Sequence, residues 1–298
     1  LMNRHQAALF SFLSKAVRGE AEMPPHVIEE FGELCKKALE KQFSKREEGF
    51  RLRMSNIGKP LCQLQMEAMG VEGDLPDYDF KMRMIIGDVL EAVVIALLQA
   101  SGVEVKNKHQ KVSLKVDGNE IHGEYDIELS DGIYDIKTVS PFAFDSKFNA
   151  DDAFDKINNS DSFGYVSQGY GYGLASKKPF KGWIAINKST GQIAVAEVPP
   201  NGKQKENTKN EIRNVYKAIS NERPFKRCFT DTEELYYKKP TGNRTLGIEC
   251  SYCAFKSKCW DGLEFRRQLP SKGKSPRWVW YTHITDEWRD SIDKKEDG

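Results

Sequence analysis

No apolar run in the 298-residue chain approaches the ~18 residues that cross a bilayer, and Leu1, Met2, Asn3 and Arg4 open no signal-peptide core. Neither sign of charge dominates: 45 Lys and Arg oppose 44 Asp and Glu, so the overall balance names no partner. Proline and glycine are few, 12 and 23, which excludes a collagen-like or linker-dominated chain. A hydrophobic share of 39% with 11% aromatics excludes a mostly disordered one. There is no internal repeat, no low-complexity tract and no GxxxxGK[ST] phosphate loop of the kind a helicase motor needs. What remains reads as a soluble intracellular globular protein, long enough for one large domain or two small ones.

Charge is unevenly distributed. From Asp117 to Asp135 there are seven carboxylates (Asp117, Glu120, Glu124, Asp126, Glu128, Asp131, Asp135) and no Lys or Arg. Eight basic residues face three acids over Lys203–Arg227, and seven face two over Lys256–Arg277. An acidic centre with basic outer segments suits a cation site beside a polyanion track, although solvated surface faces give the same pattern.

Apolar positions at helical spacing (Val27, Ile28, Phe31, Leu34, Leu39) predict a surface helix over 27–49. Ser55–Pro60 predicts a turn, followed by a short helix carrying Cys62. Met82–Ala100 has a strongly apolar body and predicts a buried helix stopped by Gly102. Lys111–Val116 and Glu120–Leu129 alternate as strands and Ile133–Val139 reads as a third, around Asp117-Gly118-Asn119 and Asp131-Gly132 turns. A helix over 163–176, strands at Trp183–Asn187 and Ile193–Val198, and a polar helix over 204–220 complete an α/β reading with a central mixed sheet flanked by helices.

Asp135 and Lys137 are two residues apart on one strand and project from the same face, and hairpin pairing brings Asp126 beside Asp135. Two carboxylates forced together repel unless a cation neutralises them, and oxygen ligands suit Mg²⁺ or Mn²⁺. An ammonium on that face can position water or stabilise charge on a phosphate. A solvated hairpin with a salt bridge is the plain alternative.

The series Gly123-x-x-Asp126, Asp135-Ile136-Lys137 and Gln168-x-x-x-Tyr172 resembles the PD-(D/E)XK nuclease superfamily, in its RecB-like branch. Gly87-x-x-x-Glu91 places Glu91 where that branch carries a further ligand, usually His and sometimes Glu. The resemblance covers about residues 85–200. It implies that Glu91, Asp126 and Asp135, with the Ile136 carbonyl, hold the divalent metal and that Lys137 orients and activates the attacking water. Gln168 and Tyr172 are implied to contact DNA or buttress the site. Glu124 is a possible extra ligand, and His122 reads as structural or incidental. Alternate glycines Gly169, Gly171 and Gly173 weaken a helix, so a close backbone approach is expected there.

Cys250-x-x-Cys253-x5-Cys259 is a tight thiol group one ligand short of a four-coordinate site, with Cys35, Cys62 and Cys228 as candidates for the fourth. Structural zinc fits this spacing too. The spacing is similar to that of the CRISPR-associated iron–sulfur exonucleases and AddB-type nuclease domains, which carry one cysteine before the nuclease core and three after it. That resemblance implies a [4Fe–4S] cluster on Cys62, Cys250, Cys253 and Cys259, stapling an N-terminal helix to the C-terminal segment, with Cys35 and Cys228 as non-ligand thiols. The implied layout is an N-terminal helical region (1–80), a nuclease core (81–235) and a C-terminal cluster segment (236–298). Trp260, Phe265, Trp278, Trp280 and Tyr281 are candidates for stacking on unpaired bases, or for core and cluster shielding.

The resulting expectation is a metal-dependent exonuclease acting on DNA ends with single-strand character, in bacterial or phage DNA recombination, repair or degradation and in the cytoplasm. The rivals are a non-catalytic iron–sulfur DNA clamp and an endonuclease with the same metal site.

Overall fold

The computed structural model describes residues 2–45, 49–200, 202–220, 223–268 and 277–293. In chain order the elements are α1 (Arg4–Val17), α2 (Pro25–Phe43), α3 (Leu61–Ala68), α4 (Tyr78–Ala100), β1 (Val105–Val116), β2 (Asn119–Leu129), β3 (Gly132–Val139), α5 (Pro141–Ala143), α6 (Ala153–Asn159) and α7 (Tyr165–Ser176). There follow β4 (Phe180–Asn187), β5 (Ile193–Glu197), α8 (Gly202–Ile219), β6 (Thr232–Tyr236), β7 (Lys239–Thr245), α9 (Ile248–Ser251), α10 (Lys256–Cys259), β8 (Glu264–Arg267), β9 (Trp278–His283) and α11 (Asp286–Asp293).

Two compact units form, Leu1–Lys59 with Asp77–Lys217, and Pro60–Pro76 with Ala218–Gly298. They cut across the three consecutive segments expected from the sequence, because residues 60–76 fold with the C-terminal part of the chain and not with the helices on either side of them.

In the first unit the sheet runs β1-β2-β3-β4-β5, with β3 and β4 parallel and the other pairs antiparallel. This is the mixed sheet the strand order implied. Asp117 and Gly118 both take positive φ, 51° and 85°, the conformation a two-residue hairpin needs. One sheet face packs on α4 and α1: Ile127, Leu129, Tyr134, Ile136, Ile184 and Ile186 meet Val94, Ile95, Leu98 and Leu9 in one cluster. Helix α4 ends as expected, with Gly102 at φ +81° and the Val103 N–H closing back on the Leu98 carbonyl at 3.0 Å. Helix α1 has no counterpart in the sequence reading. Asn3 caps it through the His5 N–H at 2.9 Å, and Leu9 anchors it in the core.

In the second unit β6-β7-β9-β8 form an antiparallel sheet that the sequence reading also lacks. Its inner face holds Tyr281 and Ile284 against Val279 and Trp288. Glu234, buried there, accepts from Tyr281 Oη (2.6 Å), Asn243 Nδ2 (2.8 Å), Thr241 Oγ1 (3.2 Å) and Gln268 Nε2 (3.3 Å), so its carboxylate is satisfied without exposure. Helix α3 joins this unit through Gln65, whose Nε2 donates to the Ala218 and Arg223 carbonyls at 3.3 and 3.0 Å. Just beyond it, the Asp74 N–H donates to the Ala254 carbonyl at 2.6 Å, and the Asp74 carboxylate pairs with Lys256 at 3.1 Å.

Candidate functional site

The site begins where β2 and β3 part. Their ladder runs from Leu129–Gly132 to Ile127–Tyr134 and stops, while β3 continues to pair with β4 through Val139. In the fork so opened, Asp126 Oδ2 accepts the Ile136 N–H at 2.6 Å, a side chain standing in for the lost strand partner. The N–H and C=O of one strand residue point to the same edge, so the Ile136 carbonyl faces the fork as well.

Lys137 occupies the same region. Its Nζ lies 2.6 Å from Asp135 Oδ2, 3.4 Å from Gln168 Oε1 and 5.0 Å from the centre of the Tyr165 ring. Gln168 in turn donates through Nε2 to Tyr172 Oη at 2.9 Å. The two helix residues singled out in the sequence therefore act as one relay on α7 that fixes the lysine head. The start of α7 is set by Asp161, whose carboxylate accepts the Tyr165 and Val166 N–H groups at 2.8 Å each.

The glycines nearby have packing reasons. A Cβ on Gly123 would lie 2.7 Å from Tyr172 Cε1 and 3.0 Å from Met54, so the first position of the Gly123-x-x-Asp126 motif makes room for the Tyr172 ring. A Cβ on Gly169 would meet the Phe180 ring at 2.2 Å, and one on Gly173 the Lys178 carbonyl at 3.0 Å. The close approach expected of the α7 glycines is thus made to the protein itself.

Asp135 is 1% exposed, and its Oδ2 accepts no hydrogen bond among the described residues: Lys137 is close enough for charge attraction but off hydrogen-bond geometry. Burial raises the Asp126 carboxyl well above the ordinary carboxylate range, with Glu91 and Asp135 adding to it. Burial, then Asp88 and Asp135, push Glu91 up to about 7 against the pull of Lys41 and Lys137. Burial alone would lower Lys137, but Asp135 and Asp126 outweigh it and hold the amine above its ordinary range, so it is an ammonium at neutral pH. Three acids therefore crowd one fixed cation. Their oxygen-only donor set fits a hard divalent ion. In this conformation no three His, Cys, Asp or Glu side chains among the described residues form a closed metal cage.

The raised Glu91 group has a sign that can be checked. Its folded value exceeds its ordinary 4.5, so the folded chain holds the proton more tightly, and stability falls as pH rises from about 4.5 to about 7. In EDTA, Glu91→Gln should be more stable than the parent at pH 8, by at most about 3 kcal/mol, and melt at a higher temperature. The gain should vanish near pH 4.5. Paired thermal melts across that range test it.

Several participants were invisible in the sequence. Asp88, next to the Gly87 of the helical motif, ties α2 to α4 through Lys41 at 3.2 Å and Gln42 at 2.7 Å. His109 lies between the Lys108–Ile127 and Gln110–Tyr125 pairs at φ +50°, and its Nδ1 is 3.4 Å from Glu91 and 3.7 Å from Glu124. Burial lowers its imidazole, so it meets Glu91 as a neutral partner. No local pattern marks such a histidine. Glu124, the possible extra ligand, is exposed and reaches His109, and His122 is exposed and bridges to Arg53.

The acidic run divides by use. Asp117 pairs with Arg213 at 2.7 Å, Glu128 with Lys178 at 2.5 Å and Asp131 with His5 at 3.0 Å, while Glu120 and Glu124 are exposed, which leaves Asp126 and Asp135 to the fork.

In the second unit, Cys228 Sγ accepts the Cys62 N–H at 3.2 Å at the start of α3. The Cys62 thiol and the Cys62 and Leu61 N–H groups bring Cys228 down to about 6 against the effect of burial, while the Cys62 thiol is raised. Cys259 raises Cys62, Cys250 and Cys253 by charge repulsion, so it lies within electrostatic reach of each. Cys228, set aside in the sequence reading, is therefore brought against Cys62. Cys35 lies on α2 in the other unit. Trp260 donates to Cys250 and lies under the Arg227 guanidinium at 4.3 Å, which gives it a shielding position.

No protein-family model matches the chain, and no curated protein matches it. A solved structure described as "Crystal structure of SSO0001" aligns over 76% of this chain and 95% of its own, at 16% identity and a TM-score of 0.42. No helix among the described residues is long and apolar enough to cross a membrane.

Proposed function

We propose that this protein is a metal-dependent deoxyribonuclease of the PD-(D/E)XK superfamily, RecB-like branch, that hydrolyses phosphodiester bonds from DNA ends with single-strand character. The observation that carries the reading is the meeting of Asp126, Asp135, Lys137 and the Gln168–Tyr172 relay around one strand fork, with the Glu91 carboxylate within their field. Asp126, Asp135 and Glu91, with the Ile136 carbonyl, are the groups that would hold Mg²⁺ or Mn²⁺ there. Such an ion supplies charge neutralisation at the phosphate and a lower pKa for bound water. Lys137 would orient the attacking water and stabilise developing phosphate charge. Gln168 and Tyr172 fix where that ammonium points.

The test is digestion of end-labelled single-stranded, duplex and closed-circular DNA with Mg²⁺, Mn²⁺ or EDTA. Metal-dependent release of nucleotides from linear ends is the expected result. Cutting of closed circles would replace the exonuclease by an endonuclease, and binding without any cleavage would replace the enzyme by a clamp.

The thiol neighbourhood supports a [4Fe–4S] cluster on Cys62, Cys250, Cys253 and Cys259, which would add a covalent staple to a unit that already joins α3 to the C-terminal segment. Anaerobically purified protein should be brown and hold about four irons per chain. Cys62→Ser and Cys253→Ser should lose most of that iron, and Cys35→Ser none. A colourless, zinc-loaded preparation would replace the cluster by a zinc site.

A further inference from the structure

Of the five aromatic residues expected near the basic C-terminal segment, two have structural employment. Trp260 covers Cys250, and Tyr281 is buried with its hydroxyl on Glu234. The other three share a surface. In the β8–β9 ladder Phe265 stands opposite Trp280 and Arg267 opposite Trp278, so these four project from one face of the hairpin. The alternate residues Val279 and Tyr281 face inward, against Ile284 and Trp288. Outward, Phe265 is 48% and Trp278 51% exposed.

The rings form a near-parallel set. Phe265 and Trp278 stack with centroids 5.4 Å apart at 27°, and Phe265 and Trp280 are 4.7 Å apart at 34°. Lys256 Nζ lies 5.0 Å over the Trp280 ring, and Arg267 is exposed beside Trp278. The acid on this hairpin, Glu264, is on the opposite side and is neutralised by Arg266 at 3.0 Å and Arg289 at 2.8 Å. The outward ladder positions are therefore aromatic or cationic, and none is acidic.

Leaving two large rings half in water costs free energy that an inward-facing hairpin would recover, which marks the face as one that is covered in use. Phe265 stacks against both tryptophans and Lys256 sits over Trp280, so an unpaired base would extend the stack at the exposed Trp278 while its phosphates meet Lys256 and Arg267. Stacked base pairs of a duplex offer no free face for this. We infer that the outer face of the β8–β9 hairpin is a docking surface for single-stranded nucleic acid, separate from the strand fork. The choice of nucleic acid over a protein partner rests on charge complementarity; it agrees with the proposed deoxyribonuclease but does not require cleavage.

The experiment uses the full chain in EDTA, so that no metal-dependent cleavage occurs, with fluorescein-labelled oligo(dT) and a duplex of equal length read by anisotropy. The parent should bind the single strand more tightly than the duplex. Trp278→Ala and Phe265→Ala should each weaken single-strand binding at least about fivefold, the low end of base–ring stacking. Trp278→Phe, which keeps a ring, should retain most of the affinity, and Arg267→Gln should lower the slope of log affinity against log salt by about 0.7. Unchanged binding by the Phe265→Ala/Trp278→Ala double variant, with its sheet intact by circular dichroism, would overturn the inference. So would equal loss in Trp278→Phe, or a parent dimer by light scattering that the double variant dissolves. Failure here leaves the cleavage reading untouched, and a parent that binds single strands but cuts nothing leaves this surface standing.

Discussion

Asp135→Asn should reduce metal-dependent nucleotide release by about a thousandfold or more while leaving the chain folded. The substitution keeps the shape of the side chain and removes its buried charge; under the proposed function a cation would lose a ligand, and the phosphate the charge neutralisation that makes attack on it feasible. About 4 kcal/mol of barrier corresponds to a thousandfold. Stability responds differently because two effects oppose. The variant forfeits attraction between Asp135 and Lys137 across 2.6 Å, but it also relieves the repulsion by which Asp135 raises Glu91 and Asp126. Melting temperatures in EDTA should therefore differ by only a few degrees. Isothermal titration with Mn²⁺ should show the parent's affinity lost in the variant. A variant that binds Mn²⁺ normally and still cleaves would remove Asp135 from the site, and one that fails to fold would show that the ion pair dominates the local balance.

Gly58→Ala should cost about 3 kcal/mol of stability, and the lost activity should exceed what the unfolded fraction explains. An added Cβ at Gly58 would lie 1.9 Å from the Gly164 Cα, with 2.8 Å to its nitrogen. Backbone faces backbone there, so no side chain can swing aside. Gly164 itself is held at φ +73° at the start of α7, one residue before Tyr165 and four before Gln168. Forcing the two segments apart displaces the helix that aims Lys137. Urea denaturation gives the stability loss, and the rate per folded molecule under native conditions gives the positional loss. Gly19→Ala is the comparison: its Cβ meets nothing within 4 Å, so its φ of +72° leaves a conformational cost of about 1 kcal/mol, with activity unchanged.

The Gly58–Gly164 contact also illustrates where legibility in the sequence ends. Ser55–Pro60 reads correctly as a turn, because turn chemistry is local, but nothing in those six residues says that Gly58 must abut a glycine a hundred residues later. The Asp117-Gly118 hairpin, the stop at Gly102 and the strands β2 and β3 are likewise local readings, and the structure bears them out. The two-residue spacing of Asp135 and Lys137 fixes a shared strand face by geometry alone. By contrast β6 and β7, with sequences TEELY and KPTGNRT, have little apolar alternation. They become strands through pairing with each other and, for β7, with β9, and through the buried Glu234 network. Tertiary pairing supplies there what propensity does not.

At the candidate site, the identity and order of the acids, the lysine and the Gln168–Tyr172 helix turn can be read along the chain, since spacing on a strand or helix sets direction. That β2 and β3 part beyond the Ile127–Tyr134 pair, that His109 meets Glu91 and that Cys228 meets Cys62 emerges only in three dimensions. Those relations join different elements of the fold, from neighbouring strands to segments 166 positions apart. Their cause is the packing and charge complementarity of surfaces that come into contact only once the chain has closed on itself.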